Sequence, residues 1–476
     1  MGNTSKKLAA KCTLLTKDEQ KYVAATFRAA SKNSERIRED DLIKFWGPQI
    51  DPRLAQYLSN FLFGSGAQKA PSVDFNRFAE LYVYNVRGTV DERMMVTYNS
   101  LGKDYNETVE LPYQLLKEYC ESIASTYIKI VKASSSRRAR IWIEKGFRGR
   151  ASHVQALGEA VAATLGGDLD SPHHHCTADQ LSKWLQTNTL LKQLAELVFV
   201  NLYGINKKAG DESPTPLPPS MPSLLPLPEG LDAMPDYPAF TDLSHIAWLN
   251  SHLPPQHQNK WRFLFSSHIH GESFSTMAGQ YNGIHTYNHH SYLLRVSVTC
   301  LAMAIGPNFF GSHDAFLFPL APKMRAYPAT GYRQYINHHT KTLPNGLIMG
   351  GQFEFGAIWV NADPFGEGSS AESCSTFRGY RRLSKEPSFH IRSLEIWGVG
   401  EKPLIEKDEA VTTLASQRAR IPHPQLRDLE LCNYIFYVSQ DERDESVLDK
   451  NPEAKAILDM AGRTRHSDGI REPPPL

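Results

Sequence analysis

The feature that most constrains this chain is a series of short apolar runs, each broken by glycine or turn residues, between Trp261 and Gly400. In order, the runs are WRFLFSS, HGESFS, NFFG, AFLF, TGY, LPNGLIMGGQ, FGAIWV, CSTF and LEIWGVG. They follow one another at roughly 10 to 20 residues, which is typical of strands and turns in a β-rich unit. The series therefore predicts a compact β-rich domain in this part of the chain.

Individual runs within this series have the periodicity of strands. Trp261, Phe263 and Phe265 occupy alternate positions, which predicts a strand with one face on a core. Residues 355–360 are continuously apolar, which is typical of a strand covered on both faces. The paired glycines at 350–351 indicate a hairpin or a bulge, where the backbone must turn or approach closely.

The preceding part of the chain, residues 16–206, carries helix signals. Capping boxes begin at Thr16, Thr89 and Thr177, each with Glu or Gln three residues later. Asp51 is a further N-cap, followed by proline at the first helical position. Strand signals are nearly absent, so this region is predicted to be helical, after an N-terminal segment of residues 1–15.

The helical region resembles paired EF-hands in one respect. Ile37 and Val73 stand where two EF-hand loops place their central apolar residues. The calcium positions of the first loop are then Ala30, Lys32 and Ser34, which cannot supply converging oxygen ligands. We therefore predict an EF-hand-like domain that serves as a docking scaffold and does not bind calcium.

The remaining segments are predicted from their composition. Nine prolines from 214 to 238 disfavour both helix and sheet pairing, so residues 207–238 are predicted to be a polyproline-like linker. The β-rich domain is assigned to 239–400, and the charged segment 401–446 is predicted to be a flexible insertion. Residues 447–476 are predicted to form a C-terminal helix and tail, with an Asn-Pro start and a glycine stop.

The overall composition excludes several classes of protein. Hydrophobic residues make up 41% of the chain and charged residues 22%, which is typical of globular proteins, and no apolar stretch has the length of a membrane span. A net charge of +1 provides no general attraction to nucleic acid. The six cysteines show no paired spacing, which indicates reduced thiols and a cytosolic protein.

The N-terminus contains a candidate lipidation site at Gly2. The opening MGN resembles a myristoylation signal, but Lys6 stands where that signal prefers Ser or Thr, so an unmodified terminus is the alternative. One acyl chain holds a membrane only marginally, and Lys6, Lys7 and Lys11 would add attraction to anionic lipid. Any anchoring is therefore expected to be peripheral and reversible.

No motif predicts catalysis, a metal or a cofactor. The tract His173–Cys176 has adjacent side chains that diverge, which disfavours a tetrahedral zinc site. His268 and His270 would share one strand face but lack a third ligand. Cys374 is predicted to be a small buried hydrophobe, because a redox role requires a lowered pKa. Glu395 is predicted to be a structural carboxylate that accepts hydrogen bonds from backbone amides. Because none of these residues predicts catalysis, the protein is predicted not to be an enzyme.

One basic run, Arg137–Arg140, is a candidate for binding phosphate groups. Such runs more often form a solvated helix face, and a single cluster does not predict nucleic-acid binding.

The motif series resembles the TLDc domain over roughly residues 236–400. The residues assigned to its signature are Trp261, Gly271, Gly331, Gly346, Gly350, Gly351, Trp359, Cys374, Glu395 and Trp397. Residues 447–472 are similar to the end of a lysosome-associated TLDc subgroup. The resemblance implies an α+β protein: an N-terminal all-helical EF-hand-like domain, then a TLDc two-sheet antiparallel β-sandwich with flanking helices and a C-terminal helix.

The resemblance also implies a function. Proteins of this kind bind the cytosolic sector of the V-ATPase at the lysosomal membrane and support mTOR signalling, so the V-ATPase and the mTOR complex are expected partners. The expected locations are the cytoplasm and the cytoplasmic face of the lysosome. A C-terminal partner-binding stripe is assigned to Ala454, Ile457, Leu458, Ala461, Arg465 and His466. The alternatives are an oxidation-resistance protein with a redox role and a calcium-responsive sensor.

The chain departs from the TLDc pattern in two segments, one of which is the charged segment 401–445, longer than family members usually show. The family usually has a Gly-rich strand between the SFS and FFG motifs, and residues 281–305 do not contain it. A missing central strand would leave backbone groups of its neighbours unpaired, at about 1–3 kcal/mol each if buried.

Overall fold

The computed structural model describes most of the chain up to residue 401. The described residues are 15–66, 69–106, 108–166, 174–205, 224–231, 241–273, 276–277, 291–296, 298–301, 306–310, 314–330, 336–338, 346–352 and 355–401. Within 291–310, 336–338 and 351–355, the description covers the backbone alone.

The first part of the chain folds into helices, as the sequence predicts. The helices are α1 (Lys17–Ala30), α2 (Glu39–Trp46), α3 (Pro52–Phe63), α4 (Phe75–Arg87), α5 (Val90–Ser100), α6 (Tyr113–Ala133), α7 (Arg137–Glu144), α8 (Ala151–Ala163), α9 (Ala178–Thr187) and α10 (Thr189–Leu202). All three predicted capping boxes are confirmed, because both reciprocal bonds form at the starts of α1, α5 and α9. Asp51 caps α3 by accepting from the Arg53 amide, so the local sequence determines where these helices begin.

Two short ladders tie the helices into pairs. Strands β1 (Ile37–Arg38) and β2 (Ser72–Val73) are antiparallel, with Ile37 opposite Val73. This pairing confirms the predicted EF-hand-like arrangement. A second ladder, which the sequence analysis missed, joins β3 (Leu111–Pro112) to β4 (His175–Cys176). The helical region therefore contains two EF-hand-like pairs.

The second part of the chain forms two sheets between short helices, which confirms an α+β fold with a two-sheet domain. Helices α11 (Leu243–His252) and α12 (Ser267–His270) flank strand β6. The strands are β5 (Leu227–Glu229), β6 (Lys260–Ser266), β7 (Ser291–Val296), β8 (Val298–Leu301), β9 (Gly306–Phe310), β10 (Phe316–Pro319), β11 (Tyr327–Pro328), β12 (Ile336–His338), β13 (Gly346–Gln352), β14 (Phe355–Asn361), β15 (Glu367–Ser370), β16 (Ser388–His390) and β17 (Glu395–Val399). Their orders are β11-β10-β8-β7-β17-β6-β5 and β16-β15-β14-β13-β12-β9.

One segment that departs from the TLDc pattern still supplies a central strand. Strand β7 pairs with β17 along its length, with Arg295 opposite Glu395 and Ser291 opposite Val399. The expectation of a missing central strand is therefore wrong. Because ladder bonds join backbone groups, a sequence without the family's glycines can occupy the same position in the sheet.

The connector is more ordered than predicted over residues 224–231. There, β5 pairs in parallel with β6, and Pro228 lies opposite Trp261. The prediction that prolines exclude sheet pairing is wrong at this point. Proline is tolerated because β5 is the outermost strand of its sheet, where only one side requires ladder bonds.

The helical region and the seven-stranded sheet share one hydrophobic core. That core includes Trp142 of α7, Leu157 of α8, Trp261 of β6 and Trp397 of β17. A second core lies between the two sheets. A register shift between β6 and β17 places Phe265 in this second core, whereas Phe263 belongs to the first. The same strand therefore serves two cores.

Within the described part of the chain, no helix is both long and apolar enough to cross a membrane.

Candidate functional site

The junction between the helices and the sheet is built around three tryptophans. The rings of Trp142 and Trp397 have centroids 5.4 Å apart, and Trp261 lies 6.2 Å from Trp142. The indole nitrogen of Trp142 donates to the Pro226 carbonyl at 2.8 Å, and that of Trp261 donates to Asn250 at 3.0 Å. The structure thus brings two predicted signature residues, Trp261 and Trp397, together with a helical residue that the sequence analysis did not assign.

A buried carboxylate joins the same two regions. Asp242, which caps α11, accepts from the amides of Leu243, Gly149 and Arg150 and contacts His153 Nδ1 at 2.9 Å. Burial alone would raise the pKa of Asp242, but these donors outweigh it and lower the pKa. The starts of α8 and α11 therefore converge on one negative charge, which their amide dipoles stabilise.

The paired glycines in β13 provide close packing. Gly350 has a φ of 67°, and a Cβ there would lie 2.7 Å from the Phe377 ring and 3.0 Å from Cys374 Sγ. Gly351 lies opposite Gly356, and the register with β14 is the same on both sides of Gly350. The predicted hairpin is confirmed, because β13 and the next strand, β14, are antiparallel and the glycine pair lies near the end of β13. No register shift marks a bulge there. Close approach is the reason for glycine at 350.

Other signature positions also serve the scaffold. A Cβ at Gly346 would strike the Val360 carbonyl and lie 3.0 Å from the Trp359 indole nitrogen. Gly271 ends α12 with a φ of 85°. Gly331 lies outside the described residues.

Glu395 is a buried carboxylate on β17. Its side chain is 0% exposed, and its Oε2 accepts from the Trp397 indole nitrogen at 3.2 Å. The donor is thus a side chain of the junction itself, Trp397. This contact agrees with a structural role, although the predicted partners were backbone amides.

The first EF-hand-like loop contains its own cation. Lys32 Nζ lies 2.8 Å from Asp41, and Arg38 Nη2 lies 3.0 Å from the same carboxylate. Counting from Ile37, Asp41 takes the place of the acid that closes a calcium-binding loop. The hydrogen bond from Lys32 lowers the pKa of Asp41. The carboxylate at the closing position of this loop is therefore paired with two basic side chains of the same loop.

The candidate histidines adopt other positions than those predicted. His268 and His270 lie in helix α12, so the prediction of a shared strand face is wrong. His270 Nδ1 accepts from the Ser266 amide at 3.0 Å, and its ring stacks on Phe265. Among the described residues, no group of three His, Cys, Asp or Glu side chains could hold a metal ion.

The described cysteines differ in exposure. Cys120 and Cys176 are buried, and burial raises the pKa of both thiols, that of Cys176 to about 12. Cys374 is half-buried. Cys374 is therefore the described thiol with access to solvent.

Several predicted site residues lie outside the described part of the chain. They are Gly2, Ala454, Ile457, Leu458, Ala461, Arg465 and His466. The lipidation site and the C-terminal stripe stay predictions. Two residues of the junction, Asp242 and Trp142, were not predicted from the sequence. The first could have been found as an N-cap residue directly before an apolar helix, whereas the acceptor of Trp142 is too distant in sequence to leave a local signal.

Comparison with known proteins identifies the β-rich region. A family model described as the TLDc domain matches residues 235–400. The chain is 28% identical over 420 residues to the MTOR-associated protein MEAK7 of Xenopus laevis, covering 83% of this chain and 80% of that protein.

Two further relatives match over a shorter span. The chain is 34% identical over 246 residues to MTOR-associated protein MEAK7 of Gallus gallus, covering 49% of this chain and 44% of that protein. It is 31% identical over 248 residues to the Homo sapiens protein of that name, covering 50% of this chain and 46% of that protein. These two alignments span less than half of each relative.

Proposed function

Because residues 235–400 make this chain a TLDc-domain protein, we propose that it is a non-enzymatic regulatory protein in mTOR-related signalling. Its finer role is to bind the cytosolic sector of the V-ATPase at the lysosomal membrane. The relatives in frog, chicken and human, which are named as MTOR-associated, support the signalling part. The TLDc resemblance supports the V-ATPase part.

The observation that carries the proposal is that the described signature side chains are mostly buried and packed against other residues. Trp261, Trp397 and Glu395 are buried in the junction, and Gly350 admits the Phe377 ring. Side chains committed to packing preserve the shape of a surface and are not available to react with a substrate. A shared core also makes the helical region and the TLDc domain one compact body, which suits simultaneous contact with several subunits.

The direct test is a pull-down of the tagged full chain from lysosomal membranes, with identification of its partners. We expect V-ATPase subunits and components of the mTOR complex to co-purify. Recovery of the chain without either would contradict the proposal.

The predicted C-terminal helix provides a narrower test. Deletion of residues 447–476 is expected to weaken V-ATPase association while the described part stays folded. Undiminished co-purification would exclude the helix as a contact. Gly2→Ala is likewise expected to release the chain from membranes, and an unchanged distribution would exclude a role for acylation.

The alternative is a redox function centred on Cys374, favoured by its half-buried thiol. It requires that the purified chain consume peroxide and that Cys374→Ser abolish this activity. Peroxide consumption that vanished in this variant would replace the proposed docking function.

A further inference from the structure

We propose that a basic corner of the helical region binds the anionic surface of a phospholipid membrane. The corner consists of the exposed side chains of Lys132, Arg137, Arg140, Arg148 and Arg150. It lies where α6 ends, α7 runs and α8 begins. The inference rests on the proposed membrane location and adds a named protein surface to it.

The charge of this corner is local. Residues 129–150 contain eight lysines and arginines and one acidic residue, Glu144, whereas the whole chain has a net charge of +1. The positive charge is therefore dense in this segment, which gives its surface a local positive field.

Helix α7 turns two of its three arginines outward because its buried apolar residues face the junction. Ala139 and Trp142 are buried, while Arg137 and Arg140 are exposed. Arg140 Nε lies 3.7 Å from Glu144 Oε1, and both side chains are more than 60% exposed. Such a solvated pair is weak, so it does not cancel the attraction to a membrane.

The loop before α8 and the end of α6 add three more charges. The amides of Gly149 and Arg150 donate to buried Asp242, which fixes the backbone inward while the Arg148 and Arg150 side chains stay exposed. Lys132 Nζ donates to the Gly149 carbonyl at 3.1 Å, which brings the end of α6 to the same loop. Three exposed basic side chains therefore surround one backbone position.

The loop and α7 form one unit. The ring of Phe147 packs on Trp142 at 4.7 Å between centroids, so the chain folds back under the buried side of the helix. Two other basic residues of the segment have structural roles, since Lys129 donates to the Ile50 carbonyl and Arg138 to the Leu225 carbonyl. The five exposed side chains of the corner remain accessible at the surface.

A lipid surface fits this arrangement better than an acidic protein or a nucleic acid. The five side chains are exposed heads on a corner, and a fluid anionic surface needs no fixed partner geometry. Arginine–carboxylate pairs, by contrast, are frequently bidentate and so require a specific geometry. A single acyl chain binds membranes marginally, and a basic surface is one of the second signals that make binding stable.

Vesicle sedimentation tests the assignment. The full chain with Gly2→Ala removes any acyl contribution, and it is mixed with vesicles of phosphatidylcholine alone or with about one-third phosphatidylserine. We expect binding to the anionic vesicles alone, and weakening by added salt. Failure of this chain to sediment with anionic vesicles overturns the proposal.

A matched pair of triple variants locates the binding surface. Arg137→Gln, Arg140→Gln and Arg148→Gln together are expected to weaken binding on the order of 100-fold, at about fivefold per charge. The control is Lys17→Gln, Lys21→Gln and Lys183→Gln, which removes equal charge from exposed positions in α1 and α9 and is expected to change binding less than about twofold. Equal losses in the two variants, or no loss in the first, overturn the proposal. All six side chains are exposed, and unchanged melting temperatures confirm folding.

Two further outcomes separate this inference from the proposed function. Binding of the Gly2→Ala chain through the corner, with no acylation of wild type found in cells, supports the corner and excludes the acyl anchor. The second outcome uses polyglutamate at the same charge concentration as the lipid. If this peptide displaces the chain from vesicles and binds it more tightly than lipid does, the lipid assignment is overturned in favour of an acidic protein.

Discussion

The helical region and the β-rich region are specified over different distances along the chain. In the helical region, Thr16 bonds with Glu19 and Thr89 with Glu92, so each helix start is encoded within four residues. In the β-rich region, β7 pairs with β17, which lies about 100 residues away. The difference shows that short-range signals define the individual helices. The junction between the two regions depends instead on contacts between residues of both regions.

The largest expected effect is at the joint. Trp142→Ala removes a buried indole and leaves the Pro226 carbonyl without its donor, at about 3–5 kcal/mol of unfolding free energy. We expect the helical and β-rich regions then to unfold in separate steps, as followed by circular dichroism and tryptophan fluorescence during denaturant titration. Trp46→Ala, inside the helical region, is the control and should leave the two probes coincident. Coincident probes in Trp142→Ala would contradict a shared core that couples the regions.

The second effect concerns the carboxylate that bridges the regions. Asp242→Asn places an amide against backbone donors and is expected to cost about 2–4 kcal/mol. Because the folded pKa of Asp242 is lowered, its stabilisation is present above an ordinary pKa near 4 and is lost as pH falls through the folded value. The stability difference between wild type and variant should therefore shrink below about pH 4. Asp74→Asn, at the exposed cap of α4, should cost no more than about 1 kcal/mol. Equal costs at the two sites would sink the bridging role.

A smaller effect tests the close packing of the β-rich region. Gly350 and Gly379 have nearly the same positive φ, 67° and 66°, but a Cβ at Gly379 would meet nothing within 4 Å. Gly350→Ala should therefore cost about 1–3 kcal/mol more than Gly379→Ala, because only the former crowds Phe377. Denaturant midpoints measure the difference, and indistinguishable values would mean that the backbone conformation alone requires glycine.

The smallest expected effect is in the helical region. Lys32 forms an ion pair with Asp41, the carboxylate that would close the first calcium-binding loop. Calcium titration of the full chain should therefore release no heat. The double variant Lys32→Gln and Arg38→Gln frees Asp41 but still lacks the other oxygen ligands, so it should also release none. Heat released on adding calcium to the wild type would contradict this prediction and would make the helical region a calcium sensor.

What the sequence predicts follows the same division. Helix starts and the strand at 355–361 are correctly predicted, because a cap or an apolar run lies wholly within its segment. The β3–β4 ladder is missed because its strands, around Leu111 and Cys176, are only two residues long and are therefore too short to show a strand periodicity. The candidate site is less predictable than the fold. Trp142 donates to Pro226, which lies in a proline-rich segment whose composition predicts only a linker.

Strand β5 makes part of the connector an edge strand of the seven-stranded sheet. The same residues that link the two regions form the margin of the seven-stranded sheet, bonded to β6 through Leu227 and its neighbours. A hinge at this place would have to peel away a strand before the regions could separate. Large movements of the helical region relative to the β-rich region would therefore require β5 to separate from the sheet. The described part of the chain is thus suited to bind a partner without a change in the arrangement of its two regions.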